Sequence, residues 1–182
     1  MNYRRLPCYR HPWACLTNIF RRLWREQIFW TQALIVSALA DLGDLPYIRQ
    51  RLSRHARDFA GQLEMFYGKH NAAGLTRLLR DHFMLAEELI VAAKGGGPVY
   101  PVRNRWEANA DLIAAFFSRL NPRRAWVWRS LLNKYLAVTE EMIGLRFSGQ
   151  YAWAVDLSDD INMLSRLLAD SQVKAICRRF YA

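Results

Sequence analysis

At 182 residues, the chain is long enough to bury a substantial core as a single domain without help from a metal or a disulfide. With 52% hydrophobic and 23% charged residues, nine Gly and six Pro, it falls outside the disordered, collagenous and disulfide-scaffold classes. Its formal net charge is +10, with Arg supplying 22 of the 26 cations, which favours contact with something anionic and says nothing about fold.

Residues 1–18 read as an irregular basic arm. Arg4, Arg5, Arg10, Arg21, Arg22 and Arg25 all precede the first acidic residue, and Pro7 and Pro12 oppose regular structure. Cys8, Cys15 and Cys177 form an odd set without CxxC spacing, as in a reduced, cytoplasmic chain. Thr17 or Asn18 is positioned to cap a first helix over 19–42, whose apolar residues Phe20, Leu23, Trp24, Ile28, Leu34 and Ile35 cover more than one face. That pattern marks a central, buried helix. The 14 uncharged residues from Gln27 to Ala40 fall short of the roughly 20 that a membrane span needs. Too long a stretch precedes them for the basic region of a secretory signal.

Asp44-Leu45-Pro46 opens a second helix over 46–66, weakened by Gly61 and ended by Gly68. Leu75, Leu78, Leu85 and Leu89 then recur at helical spacing over 71–94, with His82 on the same stripe, until Gly95-Gly96-Gly97-Pro98 stops the helix. A fourth helix over 102–120 turns Trp106, Ala110, Ile113, Phe116 and Phe117 inward and ends at Asn121-Pro122. The fifth, over 123–147, carries Trp128, Leu131, Tyr135, Val138 and Met142; the sixth starts at Gln150 or Tyr151, with Val155, Leu157, Ile161, Leu164 and Leu168 as its buried face and a bend at Asp170-Ser171. No segment alternates with the period of a strand. The expected fold is all-α, an antiparallel helical bundle of four long helices with one or two shorter helices packed on it, in a single domain over 19–182.

Helical bundles host their chemistry inside, so polar residues on apolar stripes are the candidates. Gln27 and Thr31 on the first helix, His82 on the third, Tyr135 and Thr139 on the fifth, and Asp156, Asp159 and Asp160 on the last can meet in one buried polar patch if the helices align at mid-height. Equally, each can be satisfied separately, as a lone core His ordinarily is. No catalytic residue stands out. A di-iron carboxylate site needs Glu three residues before His; here Cys8, Leu52, Tyr67 and Leu79 occupy those positions. Phosphate-binding glycine loops, zinc motifs and the G-x-S-x-G elbow do not occur. Cys177-Arg178-Arg179 places a thiol in a basic turn, where positive charge lowers a thiol pKa. No metal and no cofactor is expected.

The runs Leu23-Trp24-Arg25-Glu26-Gln27-Ile28-Phe29-Trp30-Thr31, Phe66-Tyr67-Gly68, Asp81-His82, Trp106-Glu107-Ala108-Asn109-Ala110-Asp111, Asn121-Pro122 and Ala169-Asp170 resemble an uncharacterised all-helical bacterial family common in spore-forming Gram-positives, whose members often carry an acetylglutamate kinase label. The chain has none of the glycine-rich parts such a kinase uses, so the label does not transfer. The resemblance implies three histidines on separate helices in the relatives, a set able to hold a metal. Here those positions read Gln27, His82 and Tyr135, and one imidazole with two neutral groups holds a divalent metal poorly.

Two functions follow as expectations. The first is a non-enzymatic cytoplasmic helical-bundle protein that associates with an anionic partner, the membrane surface above all, through its arginine-rich arm and the start of the first helix. The alternative is a small-ligand-binding or enzymatic bundle with a buried polar pocket around His82. Sequence-specific nucleic-acid binding is disfavoured, because most Trp residues lie on helical apolar faces and no helix-turn-helix spacing is present.

Overall fold

The computed structural model describes residues 12–122 and 125–181. Five helices account for almost all of them: α1 (Pro12–Leu39), α2 (Leu45–Lys94), α3 (Val99–Leu120), α4 (Ala125–Phe147) and α5 (Tyr151–Phe180). There is no strand among the described residues. Helix α1 starts earlier than its periodicity suggests, because proline lacks only a donor that the first turn leaves unpaired. Residues 12–18, expected in the arm, are therefore helical, and Leu16 enters the core. Thr17 does not cap: its hydroxyl donates to the Trp13 carbonyl one turn back, at 2.7 Å.

Gly68 divides α2. Its φ of 81° and ψ of 167° interrupt the helix, and left-handed φ is cheap only for glycine. The chain reverses there. Arg49 and Glu87, 38 residues apart, form an ion pair, whereas a straight helix would separate them by about 57 Å. Thus α2 is a helical hairpin, and its two arms are the second and third helices that the sequence predicts. Asp44 precedes the first arm without capping it; its carboxylate instead accepts from the Ser37 hydroxyl at 2.7 Å, tying the turn back to α1. Helix α5 runs through Asp170 and Ser171 unbroken.

The helices pack in a closed ring, α1 on α2, α2 on α3, α3 on α4, α4 on α5 and α5 on α1, with α1 also touching α4. Neighbours run antiparallel, as Arg21–Asp170 with Gln32–Ser158, His82–Asn109 with Glu88–Arg105, and Arg103–Glu140 with Asp111–Arg129 require. Aromatic side chains fill the centre. Trp24 meets the Phe59 ring edge-on at 5.1 Å and donates its indole N–H to Gln172 at 3.0 Å, while Phe117 stacks on Trp128 at 4.3 Å. Burial of such rings, a few kcal/mol each, holds the ring of helices together. Val155 departs from the predicted buried face of α5: it is exposed, while Ala154 beside it is fully buried. A small residue allows the closer approach of α5 to its neighbours and rotates Val155 outward.

Among the described residues no helix is long and apolar enough to cross a membrane. Cys15 is disulfide-bonded and Cys177 is free, where a fully reduced set was expected. Nor is the Cys177 thiol activated by the neighbouring arginines, because its partial burial raises its pKa.

Candidate functional site

The interior polar residues separate into two groups. Gln27 and Thr31 of α1 face Tyr135 and Thr139 of α4, and all four are buried. Burial raises the Tyr135 pKa, opposed by hydrogen bonding toward Thr31, Gln27 and Thr139. The cluster closes loosely: Thr139 donates to the Tyr135 carbonyl at 2.7 Å, while Gln27 Oε1 and Thr31 Oγ1 have no partner within hydrogen-bond geometry.

His82 does not join them. Its Nδ1 lies 3.0 Å from Asn109 Oδ1, and Asn109 Nδ2 donates to the Leu78 carbonyl at 3.2 Å. That second bond fixes the amide orientation, so Nδ1 is the donor to Oδ1. The imidazole also leans on Trp106, ring centres 5.3 Å apart. Desolvation lowers its pKa to about 4, with Asn109 opposing, and it is neutral at pH 7. His82 is a satisfied core side chain. Asp160, expected to point into the same pocket, is exposed, as are Asp156 and Asp159. A carboxylate left in water avoids a desolvation cost of several kcal/mol, and α5 turns its apolar face inward instead.

His55 is not among the expected interior residues, because Arg51, Arg54, Arg57 and Asp58 surround it in the sequence. The signal was its spacing from Leu52, Ala56 and Phe59, which share its buried face. It is completely buried, neither ring nitrogen has a hydrogen-bond partner, and Nδ1 stands 3.7 Å from Glu26 Oε2. Desolvation and then Arg51 lower its pKa to about 4, against Glu26 and Asp58. No group of three His, Cys, Asp or Glu side chains able to hold a metal occurs among the described residues.

Of the arginines predicted to meet anions, Arg4, Arg5 and Arg10 lie outside the described residues. Arg21 grips Asp170 through two bonds of 2.8 Å, which raise its pKa, and Arg22 pairs with Glu26 at 3.0 Å. Only Arg25 of the described three has no ion pair there, so this run is largely neutralised.

A second basic region takes its place. The antiparallel ring brings the start of α1, the Gly68 reversal, the end of α3, the start of α4 and the end of α5 to one end of the bundle. Arg77 and Arg119 line one shallow cleft there, with His70, Asn71 and one acid, Asp81; Arg178 and Arg179 line another, with Asn121 and Pro122. Arg179 donates to the Leu120 carbonyl at 3.1 Å and lies over the Tyr67 and Phe180 rings, linking α2, α3 and α5. Lys69, beside Gly68, completes the set. Among the described residues none of these five cations has a carboxylate partner within 4.0 Å. Helix macrodipoles account for Arg119, Arg178 and Arg179, which sit in last turns. They do not account for Lys69, at the start of the second arm of α2, where the dipole favours an acid. Two large aromatics flank the region, Trp13 in the first turn of α1 and Trp126 in the first turn of α4, 50% and 76% exposed. The opposite end carries Asp41, Asp44, Asp156, Asp159 and Asp160 together with Lys94, Arg103, Arg105 and Arg146, and there Lys94 pairs with Asp41, Arg103 with Glu140 and Arg105 with Glu88.

No family model, no curated protein and no solved structure matches the chain, and the resemblance described above gains no support from these comparisons.

Proposed function

We propose that the protein is a non-enzymatic helical bundle that docks end-on to an anionic membrane surface through its basic end, with the arginine-bearing residues 1–11 extending the same contact. The observation that carries this is the gathering of Lys69, Arg77, Arg119, Arg178 and Arg179, from three helices, into one region without carboxylate partners among the described residues. Each cation held near an anionic leaflet contributes about 1 kcal/mol, enough together for a reversible, salt-sensitive attachment. Trp13 and Trp126 suit the headgroup layer, where an amphipathic ring keeps its apolar body out of water and its N–H hydrated.

Co-sedimentation of the whole chain with phosphatidylglycerol-rich vesicles and with pure phosphatidylcholine vesicles tests the proposal. Binding to the first and not the second, lost at high salt, is the expected result. Equal binding to both would remove the electrostatic basis, and a random-sequence DNA duplex that displaces the protein from anionic vesicles would transfer the surface to nucleic acid.

A further inference from the structure

The two arms of α2 do not close completely against α1. Between them lies a cleft of about 240 Å³, lined by Leu34 of α1, by Leu52 and Ser53 of the first arm, and by Arg80, Phe83 and Met84 of the second. Leu34, Leu52 and Phe83 are buried, whereas Met84 is largely exposed and stands at the mouth. The Arg49–Glu87 ion pair, which also lines the cleft, joins the arms. Its two charges cancel, so the lining retains one cation, Arg80. The Arg80 Nε is shut off from solvent without a hydrogen-bond partner, and the side chain has no ion pair among the described residues.

From this we infer a binding site for a small monocarboxylate with an apolar body. A guanidinium presents a planar fork that matches a carboxylate bidentately, and Arg80 lines the cleft with no carboxylate of the described residues paired to it. Apart from Ser53 and the Arg49–Glu87 pair, the rest of the lining is leucine, phenylalanine and methionine, which reward an aliphatic or aromatic tail and offer little to a sugar. The volume lies just under the roughly 300 Å³ at which ordinary ligand pockets begin, so nucleotides and lipids with two chains are too large. The site is independent of the membrane-facing end: it opens on the side of the hairpin and uses none of the same residues.

Calorimetric titration with octanoate, and with octanol as the uncharged counterpart, tests this on the whole chain. Saturable one-site binding of octanoate, at least tenfold tighter than octanol, is expected, with at least a tenfold loss in Arg80→Met at unchanged helicity. Should Arg80→Met fold poorly, Ser53→Phe, which narrows the cleft from the other arm, must weaken octanoate as much. Absence of saturable octanoate binding, equal affinity for the alcohol, or undiminished octanoate binding by folded Arg80→Met or Ser53→Phe would overturn the inference.

Discussion

The interior and the basic end of this bundle treat polar groups in opposite ways. Inside, the buried polar side chains are neutral; some are bonded to one another, His82 to Asn109 and Trp24 to Gln172, while His55 and the Gln27 and Thr31 oxygens are buried without a partner. At the end, five cations crowd together, and intrahelical stabilisation does not account for all of them. The contrast separates stability from function. An interior substitution should change folding free energy and leave vesicle binding by the folded fraction intact, while a change at the end should do the reverse.

The largest expected effect is at Trp128, fully buried and stacked on Phe117. Trp128→Ala should cost about 3–5 kcal/mol in urea unfolding without altering the anionic-vesicle affinity of what remains folded. If binding falls in step, the two regions are not separable.

Next is acid. Burial holds His55 and His82 at about 4 against an ordinary 6.5, so as pH falls the unfolded chain takes up protons first. Stability should therefore begin to drop near pH 6.5 and continue to fall down to about pH 4, by up to about 3 kcal/mol for each histidine. Denaturant titrations across that window check the slope. The two histidines differ in what removal does. His82→Leu leaves Asn109 Oδ1 unpaired and should cost about 1–3 kcal/mol at pH 7. His55→Leu removes a buried imidazole whose nitrogens have no partners, and should be neutral or stabilising while flattening the acid slope.

At the basic end, Arg119→Glu with Arg178→Glu should weaken binding to phosphatidylglycerol-rich vesicles by at least about 2 kcal/mol. Both sites are exposed, so the midpoint of thermal unfolding should shift little. The smallest effect belongs to Trp126→Ala, a few-fold loss of vesicle affinity with stability unchanged within about 0.5 kcal/mol. A stability loss of several kcal/mol there would mean that the ring supports the fold instead.

Much of the architecture was legible because helical periodicity is local. The leucines of 71–94, the Gly68 break and the Gly95–Pro98 stop each declare themselves within a few residues, and the helices end within a few residues of those signals. The polar patch was only half legible. Gln27 and Thr31 do face Tyr135 and Thr139, but His82 turned to an amide 27 positions along the chain, and Asp160 stayed in water. Helical spacing says which residues share a stripe; it does not say which neighbouring helix that stripe meets, or at what height.

Sequence alone determined the all-α class, the helix break at Gly68 and the excess of arginine, since each depends on composition or on contacts within one or two turns. Only the tertiary structure decided that Lys69, Arg77, Arg119, Arg178 and Arg179 share one end and that Arg80 lies in a cleft between two arms. Electrostatic potential sums over distance in space, and antiparallel packing makes neighbours of residues as far apart in the chain as Arg21 and Asp170, 149 positions.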